Sequence, residues 1–273
     1  MAVEAAAPLR FGVAGDPVEH SRSPQMHEAA YAAFGLDAEY QKLPIPPELF
    51  EETVRALPGS GFAGINVTIP HKHAAAELAD EVSPVVEAVG AANTLTFEGG
   101  KIIADNTDAP GMLEAIERSV EGRRALVLGA GGTARAAAWA LQDAGADVSV
   151  HNRTAERADK LAEDLGVAVV YETHGGAGFD LIINTTAVGM ESGTDEVEAL
   201  ASLGLDFDSI SPRATIVDFV YREGGSPLTS ASRAAGLTVV DGNELLARQG
   251  ALSFEIWFAR PAPLQAMRKA LAV

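Results

Sequence analysis

The 273-residue sequence contains no cysteine, which removes disulfides and thiolate metal sites together. Lysine is nearly as scarce, with only Lys42, Lys72, Lys101, Lys160 and Lys269 among the 20 Lys plus Arg. Against these stand 38 Asp plus Glu, for a formal net charge of −18. A surface of that sign repels nucleic acid and anionic membranes, so neither is expected as a partner. No apolar run approaches the length of a bilayer span. Met1-Ala2-Val3-Glu4 lacks the basic and apolar segments of a secretion signal, and the expectation is a cytoplasmic protein. The six histidines offer no pair at zinc-ligand spacing, so no metal site is expected. His71 and His73, which flank Lys72, read as surface residues.

What is present is enough for one large domain or two of ordinary size: 47% of the chain is hydrophobic. Where lysine is rare, the setting of Lys72 becomes informative. Ile65, Val67 and Ile69 alternate with Asn66 and Thr68, the period-two pattern of a strand with one buried face. Pro70 ends that strand, and Lys72 opens an Ala-rich helix over 72–79. A strand-to-helix corner of this kind either displays a solvated lysine or places a reactive one. Before it come a strand over 10–15, a helix over 24–34, a strand over 38–43 and a helix over 46–57. Ser23 reads as the N-cap and Pro24 as the first helical residue, which leaves Ser21 in the loop without a structural reason. After it come a helix over 82–89 and a hairpin, 92–97 with 101–104, around Glu98-Gly99-Gly100. The first hundred residues thus form a small α/β layer.

Asn106-Thr107-Asp108 precedes a helix over 112–119, which Thr107 or Asp108 could cap. An apolar strand, 125–128, then runs into Gly129-Ala130-Gly131-Gly132-Thr133-Ala134 and a helix reaching Ala144. Gly129, Gly131 and Ala134 fit the G-x-G-x-x-G/A pattern, between strand and helix as that pattern requires. Its glycines let backbone approach a pyrophosphate, whose charge the helix N-terminus favours. The strand over 148–150 ends in His151-Asn152-Arg153-Thr154, where a ribose-reading residue belongs. Arg153, with Arg157 one turn on, suits a 2′-phosphate, whereas an NAD-selective site would place an acidic residue there. Further strands over 167–171, 181–184, 215–219 and 238–240 make a doubly wound parallel sheet spanning about 106–242. The loop Asn184–Met190 leaves the carboxyl end of one of these strands; residues 191–212 show no clear pattern. In the helix over 243–258, Leu245, Gln249, Leu252 and Ile256 share one face, so Gln249 interrupts an apolar seam. It is either a buried, backbone-satisfied glutamine or one that faces a ligand. Pro261 stops that helix, and 264–271 forms the last one.

Taken together these segments resemble the shikimate dehydrogenases, NADP-linked enzymes of aromatic biosynthesis. The likeness runs through Ser21-Arg22-Ser23-Pro24-Gln25-Met26-His27, Asn66–Lys72, Ala91-Ala92-Asn93-Thr94, Asn106-Thr107-Asp108, Gly129–Ala134, Asn152-Arg153-Thr154, Asn184–Met190, Asp218–Tyr221 and Gln249–Trp257, in that order. The resemblance implies a substrate-binding domain over 1–105, completed by 243–273, and an NADP-binding Rossmann domain over 106–242, with the active site in the cleft. It implies Lys72 and Asp108 as the catalytic pair. Ser21 and Ser23, helped by Tyr221, would bind the substrate carboxylate, while Thr68, Asn93 and Gln249 would hold ring hydroxyls. Gly129, Ala130, Gly131, Gly132, Thr133 and Ala134 would cradle the pyrophosphate. Asn152, Arg153, Thr154 and Arg157 would take the 2′-phosphate, and Met190 and Gly242 would lie with the cofactor. Three positions depart from the family pattern: Ala109-Pro110 after Asp108, Arg222–Pro227 after Tyr221, and Glu244.

The residue types suit that chemistry in their own right. Ketone reduction by hydride needs a proton delivered to oxygen, and an ammonium can supply it and stabilise the developing alkoxide. Lysine's reference pKa of roughly 10.4 favours a proton donor over a general base at neutral pH. The implied activity is reversible NADPH-dependent reduction of 3-dehydroshikimate to shikimate by a monomer or homodimer. Three alternatives stand beside it. A quinate or dual quinate/shikimate enzyme would tend to carry threonine at Ser23 and an acidic ribose reader; a non-catalytic NADP-binding sensor should have lost Lys72 or Asp108; a folate-type dehydrogenase would not need the Ser21/Ser23 pair.

The acid-rich, lysine-poor composition also reads as an adaptation to high salt, in which ions screen self-repulsion. The melting temperature should therefore climb between about 0.1 M and about 2 M KCl. Equal values at the two concentrations would overturn this reading.

Overall fold

The computed structural model describes residues 7–191, 195–222 and 224–272. The N-terminal tetrapeptide considered for a leader and position 223 of the segment after Tyr221 lie outside these residues. The chain forms two compact units, one running through Thr107 and resuming at Gln249, the other comprising Asp108–Arg248.

The first unit opens with β1 (Leu9–Gly15), α1 (Ser23–Phe34), β2 (Ala38–Pro44), α2 (Phe50–Ala56), β3 (Gly64–Val67) and α3 (Lys72–Leu78). It continues with β4 (Glu81–Val82), α4 (Pro84–Val89), β5 (Thr94–Glu98) and β6 (Lys101–Asp105). The strands form one sheet in the order β2-β1-β3-β5-β6-β4. β1 runs parallel to β2 and β3, while β5 is antiparallel to β3 and β6. This arrangement brings the ends of β1, β3 and β6 and the start of β5 to the same end of the sheet. The segments holding Ser21, Thr68, Asn93 and Thr107 all leave from there.

The second unit contains α5 (Asp108–Ile116), β7 (Arg124–Leu128), α6 (Gly132–Asp143), β8 (Asp147–His151), α7 (Ala155–Leu165) and β9 (Ala168–Val169). After these come β10 (Leu181–Asn184), α8 (Glu196–Leu203), β11 (Thr215–Asp218), α9 (Pro227–Ala234) and β12 (Thr238–Val240). Its six strands pair in parallel in the order β12-β11-β10-β7-β8-β9. Relabelled within the unit that order is 6-5-4-1-2-3, the doubly wound arrangement, whose switch point lies between β7 and β10. β7 and β10 are buried from Ala125 to Leu128 and from Leu181 to Asn184, as strands covered on both faces must be. Helix α10 (Gly242–Phe258) has its residues divided between the units at Gln249, and α11 (Leu264–Leu271) packs on α1.

Several local expectations are corrected. Ser23 is not a capping side chain: α1 starts there after Arg22 without a side-chain cap, and the Ser23 hydroxyl meets that of Ser21 instead. Residue 82 belongs to β4 and not to a helix, because Ser83 caps α4 by accepting from Val86 N–H while donating to Asp105. Helix α5 starts at Asp108, four residues earlier than expected, since Pro110 falls in the first turn, where no backbone donor is needed. Part of the segment over 191–212 is helical, as α8. His71 is buried, with its ring stacked on Phe50 at 4.3 Å and Nε2 bonded to the Ile45 carbonyl at 2.7 Å, whereas His73 is exposed.

The larger correction concerns β3 and α10. Every residue of β3 is buried, so the strand is covered on both faces instead of one. The second cover is α10, whose inward residues are Gly250, Ser253, Phe254 and Trp257; Ile256 is 40% exposed. Of the expected seam, Leu245 is buried, Leu252 half-buried and Ile256 exposed, so beyond Gln249 the buried face is displaced around the helix. Two contacts rotate it. A Cβ at Gly250 would lie 2.1 Å from Met26 Cε, so the glycine admits close approach to α1. Aromatic rings then complete the face: Trp257 stacks on Phe11 at 4.7 Å and Phe254 on Phe258 at 4.6 Å. His27 joins this cluster, stacked on Tyr40 at 4.5 Å, and burial pushes its pKa down to about 3 against a smaller opposing effect of Asn66. It is a neutral, ring-shaped core residue at physiological pH.

Gly64 marks the closest approach of helix and sheet. A Cβ there would lie 2.5 Å from Trp257 Nε1 and 2.7 Å from the Leu95 carbonyl oxygen, the acceptor to which that indole N–H donates. The obstruction on one side is backbone and cannot yield cheaply. Gly64→Ala should destabilise the protein by about 1–3 kcal/mol and lower its melting temperature by several degrees. An unchanged melt would show that Trp257 is not held where the structure puts it.

Candidate active site

At the loaded end of the first sheet, the backbone fixes the positions before any side chain acts. Thr68 N–H donates to the Ala14 carbonyl at 2.8 Å, and Val67 N–H to that of Asn93 at 2.8 Å. Lys72, the first residue of α3, accepts at its carbonyl from Ala92 N–H at 2.8 Å. Thr68, Lys72 and Asn93 are thus tied to neighbouring backbone, Lys72 half-buried and Asn93 buried. A Cβ at Gly15 would sit 2.4 Å from Thr68 Cγ2, so that glycine makes room for the threonine methyl. Ser21 and Ser23 are both buried at the start of α1 with hydroxyls 3.2 Å apart, and Ser23 N–H donates to Ser21 Oγ at 3.3 Å. Paired O–H groups at a helix start suit a carboxylate.

Asn93 is fixed by its surroundings. Thr107 N–H donates to its Oδ1 at 2.7 Å, and because a backbone amide can only donate, the side-chain amide orientation is settled. Asn93 Nδ2 then donates to Gln249 Oε1 at 3.3 Å and Thr107 Oγ1 at 3.0 Å. Gln249 is half-buried and in a polar partnership, so it does not interrupt an apolar seam. Asp108 follows directly on Thr107 as the buried first residue of α5.

In the second unit the glycine turn after β7 can be tested for fit to a dinucleotide. Gly129 has φ +120°, and a Cβ there would lie 2.4 Å from Thr185 Oγ1, whose hydroxyl donates to the Leu128 carbonyl at 2.8 Å. Only glycine fits. At Gly131, the N-cap of α6, a Cβ would meet nothing within 4 Å, so space over this twelve-residue helix start is open. Ala130 lies within the turn, Gly132 and Thr133 form the first helical residues, and fully buried Ala134 lets α6 lie close to the sheet. Backbone amides, positive helix end and open space together fit a pyrophosphate. Gly129 N–H donates to the His151 carbonyl at 2.8 Å, which sets the next turn alongside. There Asn152 Nδ2 donates to the Thr154 carbonyl at 2.9 Å, and Arg153 and Arg157 are exposed, the latter in the first turn of α7. Two guanidinium groups and no carboxylate in this turn and the first of α7, apart from Glu156, suit a phosphate on the ribose.

The loop after β10 is shaped by a buried carboxylate that the sequence reading did not single out. Asn184 Nδ2 donates to Asp218 Oδ1 at 2.9 Å, and Val220 N–H donates to the same oxygen at 3.1 Å. Ser226 Oγ donates to the other carboxylate oxygen while capping α9. Arg222 Nη1 reaches the carbonyls of Gly189 at 3.2 Å and Glu191 at 3.1 Å. Met190 is thus on an exposed loop tip with an anchored base, and Tyr221 is half-buried just beyond Val220. Gly242 is explained by packing: a Cβ would lie 2.5 Å from the Val220 carbonyl carbon. The missed residues had a signal. Leu-Ile-Ile-Asn and Thr-Ile-Val-Asp are apolar strands that each end in a polar residue, and Asn184 and Asp218 are register partners.

Comparison with known proteins gives a consistent picture. Residues 13–95 match the family described as "Shikimate dehydrogenase substrate binding domain", residues 112–186 "Shikimate / quinate 5-dehydrogenase" and residues 242–272 "Shikimate 5'-dehydrogenase C-terminal domain". The chain is 42% identical over 273 residues to the shikimate dehydrogenase (NADP(+)) of Anaeromyxobacter dehalogenans, covering 96% of this chain and 95% of the relative. Among solved structures, shikimate dehydrogenase from Aquifex aeolicus is similar at TM-score 0.90 and 33% identity, over 98% of this chain and 99% of that one. The shikimate 5-dehydrogenase of Thermus thermophilus, solved in complex with NADP(H) and shikimate, gives TM-score 0.87 and 37% identity, over 97% and 98%.

Burial pushes the Asp218 carboxyl up to about 6, against the lowering effect of its hydrogen bonds to Ser226, Val220 and Asn184. A raised acid pKa means that the folded state holds a proton which the unfolded state has released between about pH 4 and 6. Stability from this group is therefore full in acid and lost as pH rises through about 6. Asp218→Asn removes that dependence. Relative to the native protein, the variant should gain on the order of 1–3 kcal/mol between pH 4 and pH 8 in paired denaturant melts. Parallel stability profiles would show that Asp218 does not titrate as its burial requires.

Proposed function

The chain belongs to the shikimate dehydrogenase family, and from that premise we propose how its own residues carry the reaction of the family. It is an NADP-dependent oxidoreductase acting on a CH–OH group, and the reaction is the reversible NADPH-dependent reduction of 3-dehydroshikimate to shikimate. The observation that carries the assignment of residues is the polar end of the first sheet, where Thr68, Lys72, Asn93 and Gln249 are held by backbone and buried amide bonds.

In this reading Lys72 delivers its ammonium proton to the ketone oxygen during reduction and stabilises the charge developing there. Asp108 orients that ammonium. Thr68, Asn93 and Gln249 hold the ring hydroxyls, each contributing neutral hydrogen-bonding groups that match a polyhydroxylated ring. The Ser21 and Ser23 hydroxyls take the substrate carboxylate with help from Tyr221. NADPH, when bound, supplies the hydride. Gly129–Ala134 hold its pyrophosphate, Asn152, Arg153, Thr154 and Arg157 its 2′-phosphate, and Met190 the nicotinamide end, with Gly242 behind the Val220–Tyr221 peptide. The first unit accordingly serves the substrate and the second the cofactor.

Serine at position 23, together with Arg153 and Arg157 instead of an acidic ribose reader, supports shikimate over quinate and NADP over NAD. The reading is of a cytoplasmic monomer or homodimer, and the −18 charge supports salt adaptation and binding to neither nucleic acid nor an anionic membrane. No helix among the described residues is long and apolar enough to cross a membrane.

NADP reduction should proceed with shikimate and be much slower with quinate or with NAD. In Lys72→Ala, kcat should fall by roughly a hundredfold or more while the Kd of shikimate moves far less. Turnover with quinate alone would overturn the substrate assignment, and near-native kcat in the variant would overturn the role of Lys72.

A further inference from the structure

We propose that Ser253 is a positioning residue for Asn93 and Gln249, acting through a buried knot of polar groups behind them; this rests on the reading that those two amides hold the substrate's ring hydroxyls. Ser253 has no exposed surface and lies one helical turn after Gln249 on α10. Its Oγ donates to the Gln249 carbonyl at 3.1 Å. The same oxygen lies 2.9 Å from Asn66 Nδ2, 2.8 Å from Thr94 Oγ1 and 3.2 Å from Thr107 Oγ1. A hydroxyl has one proton and two lone pairs, so three of these four neighbours, on β3, on β5, after β6 and on its own helix, are enough to saturate it.

Each arm of the knot leads to the proposed substrate amides. Thr94 Oγ1 and Thr107 Oγ1 reach Asn93 Oδ1 at 3.1 and 3.2 Å, beside the Thr107 N–H bond to that atom. Asn66 Nδ2 also donates to the Asn93 carbonyl at 3.1 Å, while Asn66 Oδ1 accepts from the Tyr40 hydroxyl at 2.7 Å. Gln249 is reached through the helix backbone. Ser253 is thus the group that contacts both the helix carrying Gln249 and the partners that fix Asn93.

The chemistry argues for positioning over simple core filling. Phe254 and Trp257, next to Ser253 on the same helix face, are apolar, and an apolar residue among hydroxyls would leave several buried groups unpaired. A satisfied buried network costs desolvation but restricts its members to few arrangements, which is what two amides sharing one ligand require. With Ser253 in place, the separation between Asn93 Nδ2 and Gln249 Oε1 is set from behind and not by the substrate.

The test is a double-variant cycle measured on the full-length protein with shikimate and NADP. Ser253→Ala should raise the KM for shikimate roughly tenfold, the equivalent of one well-made hydrogen bond, while the KM for NADP stays within about twofold. In a Gln249→Ala background the same substitution should cost less, because one of the two groups being positioned is gone and only the part acting through Asn93 remains. Additive effects, with Gln249→Ala alone raising the shikimate KM, overturn the role of Ser253 and leave that of Gln249 standing. An unchanged shikimate KM in Gln249→Ala overturns the assignment of Gln249, and this inference with it. Should Ser253→Ala fail to fold, Thr94→Val removes the neighbouring hydroxyl at nearly constant shape, and the cycle is read the same way.

Discussion

The bond from Thr107 N–H to Asn93 Oδ1, at 2.7 Å, is the constraint from which the polar end of the first unit follows. A side-chain amide can flip, and hydroxyls can rotate, but a backbone amide only donates. Once Asn93 Oδ1 is committed, Nδ2 faces Gln249 Oε1, and the hydroxyls of Thr94 and Thr107 lie between the shared oxygen and Ser253. The knot around Ser253 closes behind them. A donor that cannot reverse gives polarity to a group of residues that otherwise could adopt several arrangements of equal energy.

That knot forms where α10 lies against the sheet. Gly64 removes a Cβ that would meet Trp257 and the Leu95 carbonyl, and Gly250 one that would meet the Met26 side chain on α1. The second unit uses the same device for a different end. At Gly129 the missing Cβ leaves room for Thr185, which ties the end of β7 to the loop after β10, while at Gly131 the missing Cβ leaves open space over a helix start. Glycine thus permits packing at three of these positions and borders open space at the fourth. Asp218 complements them by anchoring the base of the loop that ends at Met190 and the start of α9 to one buried carboxylate.

Much of the fold was legible because its signals are local. The strands over 125–128, 181–184 and 238–240 are short apolar runs bounded by turns, and the glycine turn after the first has a fixed spacing. The likeness to shikimate dehydrogenases rests on similarly short, ordered segments, and the family assignment agrees with them. Other features were misread for identifiable reasons. Ser23 has the composition of a cap but spends its hydroxyl on Ser21. Residue 82 pairs with β6 because Ser83, not an earlier residue, caps the following helix. His71 looked polar and terminal, yet its ring fills a space against Phe50 that no local pattern announces.

By itself the sequence determined what nearest neighbours along the chain decide: the order of strands and helices, which turn needs glycine, and the absence of thiol chemistry. Tertiary structure alone decided which face of α10 turns inward, that β3 is covered on both sides, and that Asn66, Thr94, Thr107 and Ser253 meet. Those residues are separated by up to 187 positions. Periodicity reports whether a face is apolar but carries no information about which distant hydroxyl will satisfy a buried amide. That pairing is fixed only when helix and sheet close to hydrogen-bonding distance, where leaving any one group unpaired costs more than the whole arrangement gains from ambiguity.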